Sequence, residues 1–444
     1  LELEAEGLET IALSEHGNPL TISADGIEGD GISSGDQQAY TEYRRFMSKF
    51  AAVIGELHNQ VPPRIRQSRD DLIALGKLAL KIRRLGRDDM REFLRIAGIN
   101  IYDVLEERFD NPQLKGALSL DAVLGAFSGP RSNNTLFSAL HRISGNNAGA
   151  AGAISVPAGG MGAITQALAS AVVTAGADVR ISSPVRRILM DGMQVSGVEL
   201  DDGEQIPAGT VISNLDIRTT VMDLLGARHV EAGFARKVDQ VRSAGNAAKL
   251  HLALDGLPGF KGLLGDQPGQ RLLIAPSPEY VEKAFNHCKY GEFSAQPVLE
   301  ILIPTLHDAS LAPDGKHVLS AVVQYAPRNL GAGWENGKAA FIEAIMDTLS
   351  IYAPDIHEKT VATELLTPED IELQFGNYGG HWHHAELSLH QFLMLRPVPK
   401  SAQYSTPVEG LYLCGAGCHP GGGVMGSAGR NAANALLAAE GGKS

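Results

Sequence analysis

Apolar residues recur every three to four positions through the first third of the chain. Between Asp36 and Leu57 they form one face of a helix, and the same spacing returns over residues 72–85 and 90–109. Such spacing is typical of amphipathic helices that bury one side. The pattern therefore predicts that residues 37–150 are mainly helical.

The pattern changes after residue 157. A helical run over residues 163–174 is followed by short apolar runs separated by Asp-Gly turns, which predict a β-meander. The predicted strands are Val179–Ile181, Val185–Leu189, Gln194–Leu200 and Val211–Ser213. Longer runs at Lys249–Leu254 and Val298–Ile303 predict a sheet with one buried face, and residues 338–352 predict a further helix. Together these elements predict an α/β protein with a helical section and a mixed sheet.

Composition narrows the class of protein. Hydrophobic residues make up 44% of the 444 residues, so a large core is expected, and the net charge of −13 argues against a nucleic-acid partner. Cys288, Cys414 and Cys418 are too few for a disulfide framework, which favours the cytoplasm, or the mitochondrial matrix of a eukaryote. The first residues show no signal-peptide pattern, and no apolar window is long enough to span a bilayer.

Six glycines lie within twelve positions near the end of the sequence, between the apolar run Leu411–Leu413 and a helical pattern. They are Gly415, Gly417, Gly421, Gly422, Gly423 and Gly426. Glycine admits positive φ and leaves room for a ligand, and the following helix points its unpaired N–H groups at the loop. A simple turn needs far fewer glycines, so we interpret this strand–loop–helix element as a ligand site.

Several motifs together carry a family resemblance. They are Leu411–Gly415, His419–Gly426, Gly429–Ala433, Pro157-x-Gly159-Gly160-Met161-Gly162, Ser213-Asn214-x-Asp216, and Gly379-Gly380 with His384–Leu387. The chain from about residue 150 onward resembles the phytoene-desaturase-like FAD oxidoreductases, in the branch of the pyridine nucleotide-disulfide oxidoreductase domain 2 proteins and carotene ketolases. The resemblance implies a two-lobe amine-oxidase-type α/β fold.

The resemblance also implies positions for FAD. The implied cofactor-binding residues are Val185, Gly415, Ala416, Gly422, Gly423, Val424, Met425 and Gly426. In relatives, the positions of Gly415 and Ala416 approach the ribityl chain, and that of Val185 meets the adenine. Residues 423–426 would bring helix N–H groups to the pyrimidine edge of the flavin, where negative charge develops on reduction.

His384, Glu386 and His419 are the catalytic candidates, as residues that line a substrate pocket. The resemblance places the segment His381–His384 on a strand near the substrate end of the flavin. On such a strand His381 and His383 would share a face, but Glu386 is the only nearby carboxylate, so no metal site is predicted.

One family feature does not occur in residues 1–150, namely the G-x-G-x-x-G fingerprint that cradles the pyrophosphate. We therefore expect an incomplete FAD-binding domain and reduced FAD affinity. The sequence is predicted to divide into five parts. Residues 1–36 are a leading segment, residues 37–150 the helical part of the substrate domain, and residues 151–214 the remainder of the FAD-binding domain. Residues 215–400 are the mixed-sheet part of the substrate domain, and residues 401–444 are the C-terminal FAD-binding element.

Two functions remain open from the sequence. The first is an FAD-dependent oxidoreductase that passes a hydride from an apolar, isoprenoid-like substrate to flavin N5. The alternative is a non-catalytic lipid-binding or interaction protein that keeps the fold and self-associates as a homo-oligomer. The segment Lys77–Arg87 is basic and amphipathic, which is typical of peripheral contact with a membrane. A solvated helix face is the simpler interpretation, and the sequence leaves both open.

Overall fold

The computed structural model describes residues 1–64, 69–84, 86–96, 98–147, 150–151 and 154–441. The chain divides into two compact units. The first unit comprises residues 1–52, 96–179 and 245–370, and the second comprises residues 53–95, 180–244 and 371–444. Both units are assembled from segments that are distant in sequence.

The described α-helices are α1 (Ser34–His58), α2 (Arg69–Arg84), α3 (Arg87–Ile96), α4 (Ile101–Glu106), α5 (Pro112–Val123), α6 (Thr135–Ile143), α7 (Gly162–Thr174), α8 (Ala232–Asp239), α9 (Pro278–Lys289), α10 (Trp334–Tyr352), α11 (Ile356–Lys359), α12 (Pro368–Phe375) and α13 (Ser427–Gly441). The described strands are β1 (Leu3–Ala5), β2 (Thr10–Ala12), β3 (Leu20–Ile22), β4 (Ile27–Glu28), β5 (Asn146–Asn147), β6 (Ala150–Ala151), β7 (Val156–Pro157), β8 (Val185–Asp191), β9 (Gln194–Leu200), β10 (Gln205–Pro207), β11 (Val211–Ser213), β12 (Ala247–Leu254), β13 (Arg271–Ile274), β14 (Val298–Leu302), β15 (His317–Gln324), β16 (Thr360–Leu366) and β17 (Leu411–Leu413).

The first unit is built on an eight-stranded sheet in the order β16-β12-β15-β14-β13-β2-β3-β4. Its strands pair antiparallel except for β13 and β2, which are parallel, so the sheet is mixed. Leu250, Leu252 and Leu254 alternate into the core on one face, where they belong to the same buried cluster as Phe341 and Leu349 of α10. Burial of this cluster is the main source of stability for the unit. The predicted one-sided burial of β12 is thus confirmed.

An ion network is buried elsewhere in the same unit. Arg271 Nη2 lies 2.5 Å from Asp121 Oδ1, and its Nε lies 2.7 Å from Glu300 Oε2. Arg142 Nη2 reaches the same Glu300 oxygen at 2.8 Å. Burial opposes the charge of Glu300, but the two arginines outweigh it and lower the pKa of Glu300 to about 2. The network therefore satisfies charges that would be costly to bury singly.

The second unit contains two small sheets. β8, β9 and β10 form an antiparallel meander through the two predicted Asp-Gly turns, and β11 pairs with β17 in parallel. α13 follows β17, and its Ala428 and Ala432 pack into a buried cluster with Ile217 and Leu413. This parallel pair and the helix after it position the glycine-rich loop.

Two predicted elements differ from the structure. Val179–Ile181 is not a strand: it pairs with no strand among the residues that the structure describes, and Ile181 is 84% exposed, so its apolar pattern is not used in a sheet. Residues 90–109 form two helices, because α3 ends at Ile96 and the side chain of Asn100 caps α4 by accepting from Asp103 N at 2.8 Å. The other predicted helices and strands are confirmed, as is the α/β class with its mixed sheet.

The basic segment Lys77–Arg87 spans the end of α2 and the start of α3. Lys77, Arg83, Arg84 and Arg87 are exposed, whereas Leu85 lies outside the described residues. Across the part of the chain that the structure describes, no helix combines the length and the hydropathy needed to cross a membrane.

Candidate functional site

The parallel pair β11–β17 brings two sequence motifs together. Ser213 is in register with Leu413, and Cys414 N donates to the Ser213 carbonyl at 2.9 Å. The next residues, Asn214 and Gly415, then lie so close that an ideal Cβ on Gly415 would be 2.2 Å from the Asn214 oxygen. Gly415 is therefore required for the backbone to pass this point.

The segment after β11 is fixed by its own side chains. Asp216 accepts hydrogen bonds from Thr219 N at 2.9 Å and Thr219 Oγ1 at 2.6 Å, at the start of a π-helix over Thr219–Gly226. Ser213 Oγ and Thr220 Oγ1 are 2.7 Å apart and both are buried. These bonds hold the motif Ser213–Asp216 rigidly beside the glycine loop.

Two histidines pack directly on the glycine loop. An ideal Cβ on Gly422 would lie 1.8 Å from His383 Nδ1, and one on Gly417 would lie 3.3 Å from the Cβ atom of His384. Glycine at these two positions leaves the room that the side chains of His383 and His384 occupy. The loop and residues 383–384 thus form one packed layer.

The far end of the loop is open to solvent. Gly421 and Gly423 have φ of +125° and +128°, which side chains disfavour, and they lead the backbone to the N-terminus of α13. Gly423 and Gly426 are exposed and Val424 is 70% exposed, so this helix end is accessible to a ligand. Its N–H groups and dipole favour an electron-rich group.

The segment His381–His384 is a turn, which corrects the predicted strand. His384 N donates to the His381 carbonyl at 2.9 Å, His383 N donates to His381 Nδ1 at 3.1 Å, and His384 has a φ of +57°. These local bonds compete with strand pairing and close the turn. His381 Nε2, Trp382 Nε1 and His384 Nδ1 are buried without a hydrogen-bond partner among the described residues.

The imidazoles of His381, His384 and His419 are neutral at physiological pH. Burial lowers the pKa of His381 to about 3 and that of His419 to about 4, and the charge of Arg396 acts in the same direction. Burial also lowers the pKa of His384, although nearby Asp216 partly opposes the shift. Burial therefore keeps these three rings uncharged.

Glu386 follows this turn. Its backbone N–H donates to the Arg242 carbonyl at 2.9 Å, and its side chain is half-buried. Burial raises the pKa of Glu386 to about 7, with Arg242 opposing the shift. The carboxyl is therefore about half protonated at neutral pH, which is the condition in which it can both donate and accept a proton.

His419 is a residue of the glycine loop itself. It is fully buried, its Nε2 is 2.8 Å from the Leu57 carbonyl, and its own carbonyl accepts from Tyr404 Oη at 2.8 Å. These contacts support the loop backbone, and its substrate-lining role stays a prediction. Val185, the predicted adenine contact, begins β8 in the three-stranded sheet and is 37% exposed.

Arg396 is a site residue that the sequence reasoning missed. Its acceptors are the carbonyl oxygens of His383, Ala385, Glu386, Gln391, Ala416 and Cys418, at 2.8–3.3 Å. The side chain is completely buried, and burial lowers the pKa of Arg396 to about 10. The available signal was a single arginine within the apolar run Phe392–Val398.

The donor set fits a flavin and not a metal. A helix N-terminus open to solvent, a glycine loop and buried ring nitrogens without partners provide a place for a planar, electron-rich ligand. Within the described ranges, no three His, Cys, Asp or Glu side chains are grouped so as to hold a metal ion. Burial raises the pKa of Cys418 to about 12 and also raises that of Cys414, so neither thiol is reactive.

Comparisons with known proteins identify the family of this chain. A family model for flavin containing amine oxidoreductases matches residues 35–437. The Mus musculus protein named pyridine nucleotide-disulfide oxidoreductase domain-containing protein 2 is 34% identical over 436 residues, which are 94% of this chain and 75% of the mouse protein. A lycopene-forming phytoene desaturase of Pantoea ananas is 26% identical over 80% of this chain and 70% of that protein.

A solved structure of a putrescine oxidase variant shares the fold. It is 14% identical, with a TM-score of 0.57 over 99% of this chain and 82% of that chain. The resemblance stated from the sequence motifs is thus confirmed. The chain belongs to the flavin-containing amine oxidoreductase family, whose cofactor is FAD.

Proposed function

We propose that this protein is an FAD-dependent oxidoreductase that removes a hydride from an apolar, isoprenoid-like substrate. The observation that carries the proposal is that the glycine loop packs on His383 and His384 and leads to an N-terminus of α13 that is open to solvent. When bound, FAD would supply the hydride acceptor, N5 of the isoalloxazine ring.

The loop residues would hold the cofactor. By the family resemblance, Gly415 and Ala416 would contact the ribityl chain. Residues 423–426 would direct N–H groups of the helix end to the electron-rich edge of the ring, where negative charge is stabilised.

The electrostatics of the neighbouring turn support an apolar substrate. The imidazole of His384 is uncharged because burial lowers its pKa, and Glu386 is partly protonated. A substrate without charge is bound by such groups without strong desolvation penalties. His384 and Glu386 are accordingly proposed to line and orient the substrate, with Glu386 able to exchange a proton near neutral pH.

The choice of an isoprenoid rests on a relative. The Pantoea ananas relative is named as a lycopene-forming phytoene desaturase, and it is 26% identical over 80% of this chain. An amine is the competing class, since the putrescine oxidase variant shares the fold. The two classes differ in charge, so they can be separated by one assay.

The test begins with the absorption spectrum of the purified protein after incubation with FAD and removal of free cofactor. Bands at roughly 370 and 450 nm, with about one flavin per chain, are expected. Under anaerobic conditions, phytoene in liposomes should bleach the band at about 450 nm, whereas putrescine should not. The His384→Ala and Glu386→Gln variants should keep the bands and bleach more slowly.

Two outcomes would overturn the proposal. Bleaching by putrescine alone would replace the isoprenoid with an amine. A protein that stays colourless after incubation with FAD would contradict catalysis and leave a lipid-binding or interaction role.

Delivery of such a substrate from a membrane is the second part of the proposal. Lys77, Arg83 and Arg84 are exposed on α2, together with Leu72 and Leu80, which are 58% and 47% exposed. This combination favours an anionic lipid surface. Co-sedimentation with phosphatidylserine vesicles should exceed that with phosphatidylcholine vesicles, and charge reversal at the three basic residues should abolish the difference. Equal sedimentation with both lipids would contradict this contact.

A further inference from the structure

Arg396 and Arg271 are both buried, but they differ in their hydrogen-bond partners. Arg271 is buried against the carboxylates of Asp121 and Glu300, as a desolvated cation usually is. Arg396 is equally buried, yet all its hydrogen bonds end on main-chain carbonyl oxygens. Within the described residues, no carboxylate forms an ion pair with Arg396, so its charge is solvated by peptide dipoles alone.

The carbonyls come from two separate stretches of the second unit. Nε donates to Cys418 at 3.1 Å and Nη2 donates to Ala416 at 2.8 Å, both in the glycine loop. The remaining bonds go to residues 383–391, which carry the histidine turn and Glu386. One guanidinium therefore joins the loop to the turn that faces it. A lysine ammonium could carry the charge but, as a compact group, could not span these acceptors.

The positive charge acts on the groups at the loop. After burial itself, Arg396 contributes to the lowered pKa values of His381, His384 and His419. Uncompensated by a carboxylate, the same charge would favour negative charge on a ligand bound at Ala416.

We propose that Arg396 is the positioning residue of this site: it clamps the segment bearing His384 and Glu386 to the glycine loop and leaves a fixed positive charge behind Ala416 that stabilises a reduced flavin. The clamp follows from the hydrogen bonds, whereas the identity of the stabilised ligand rests on the proposed function. Arg396 itself touches neither substrate nor cofactor in this assignment.

The clamp is tested without any cofactor, by amide hydrogen exchange of the flavin-free protein. Arg396→Lys keeps a cation but loses most of the carbonyl contacts. Exchange over residues 383–391 and 414–418 should rise by about tenfold or more, as expected for a loss of about 1.4 kcal/mol of local stability. Arg271→Lys is the matched control, because it alters a buried arginine of the first unit and should leave these two segments unchanged. Exchange within about twofold of the wild type in Arg396→Lys would overturn the clamp.

The charge is tested by sulfite titration of the FAD-loaded protein. Sulfite donates its sulfur lone pair to flavin N5 and leaves negative charge on the ring, so its dissociation constant reports nearby positive charge. Arg396→Gln should weaken sulfite binding about tenfold or more, whereas Arg396→Lys should stay within about threefold of the wild type. Unchanged sulfite affinity in Arg396→Gln would overturn the electrostatic role.

The two measurements also separate failures. Should Arg396→Gln not fold, the Arg396→Lys variant decides both points, since a weakening of sulfite binding by about tenfold in this variant, which keeps the positive charge, would contradict a role for charge. A wild-type protein that takes up no FAD would overturn the proposed function and the electrostatic role with it, while the exchange result would still confirm or overturn the clamp.

Discussion

The carbonyl oxygen of Asn214 lies where it would be only 2.2 Å from a Cβ atom on Gly415. This approach exists because β11 and β17 are parallel and end side by side, with Cys414 N bonded to the Ser213 carbonyl. Two motifs that are distant in sequence are thereby held in backbone contact at the candidate flavin site.

Gly415→Ala is expected to disrupt this contact. The added methyl group must displace backbone, so we expect the free energy of unfolding to fall by about 1–3 kcal/mol and FAD retention to be lost. Urea denaturation and the flavin content after desalting provide the measurements. Gly429→Ala is the matched control, because its Cβ meets nothing within 4 Å and it lies in α13. An unaltered stability and flavin content in Gly415→Ala would show that the close approach is absent.

Glu386 is expected to make stability depend on pH near neutrality. Its folded pKa of about 7 lies above the ordinary value of 4.5, so its contribution is fully present below pH 4.5 and is lost as pH rises through 7. Between pH 4.5 and 7, the free energy of unfolding of Glu386→Gln should therefore rise relative to that of the wild type by up to about 2 kcal/mol. This is less than the whole pKa shift would give, because the side chain is only half-buried. Urea unfolding at intervals from pH 4.5 to 8 measures the difference, and a constant difference would be contrary to this expectation.

His419 is expected to make the protein less stable as pH falls, which is opposite to the effect of Glu386. Its folded pKa of about 4 lies below 6.5, so the neutral ring supports the fold above pH 6.5 and this support is lost as pH falls towards 4. The amide of a His419→Gln variant can still donate to the Leu57 carbonyl. As pH falls from 6.5 to 4, the free energy of unfolding of this variant should decrease by up to about 3 kcal/mol less than that of the wild type. Thermal unfolding in matched buffers tests the difference. The same substitution at the exposed His16 controls for loss of an imidazole.

Glu300 is expected to be essential to the first unit. Glu300→Gln removes the carboxylate shared by Arg271 and Arg142, and we expect about 3 kcal/mol of destabilisation at pH 7. In the wild type, this contribution is present above pH 4.5 and is lost as pH falls towards 2, since the folded pKa is lowered. The exposed pair of Arg180 and Glu204 supplies the control, because Glu204→Gln should change the urea midpoint little. Equal effects of the two substitutions would contradict a role for burial.

Part of the site could be read from the sequence because its signals are local. The glycine-rich loop between β17 and α13 was recognisable from spacing alone, as was β9, whose bounds Gln194–Leu200 match the prediction. The family followed from the same motifs. The assignments of His384, Glu386 and the loop residues to substrate and FAD stay predictions, as do the domain divisions.

Other features depended on hydrogen bonds and strand pairing that the spacing of apolar residues does not specify. Val179–Ile181 has an apolar pattern but pairs with no strand in the described part of the chain, and His381–His384 closes a turn through its own hydrogen bonds. Arg396 was not identifiable as a site residue, because its role lies in carbonyl groups of two remote segments.

The sequence by itself determined most of the predicted helices and strands, the glycine loop and the family, since these depend on the periodicity of side chains and on residues adjacent in the chain. The tertiary structure alone decided which groups are buried and what they touch: the approach of Asn214 to Gly415, the neutral histidines, the raised pKa of Glu386 and the carbonyl cage of Arg396. The physical reason is that desolvation and hydrogen bonding are set by three-dimensional neighbours, which a one-dimensional pattern does not specify.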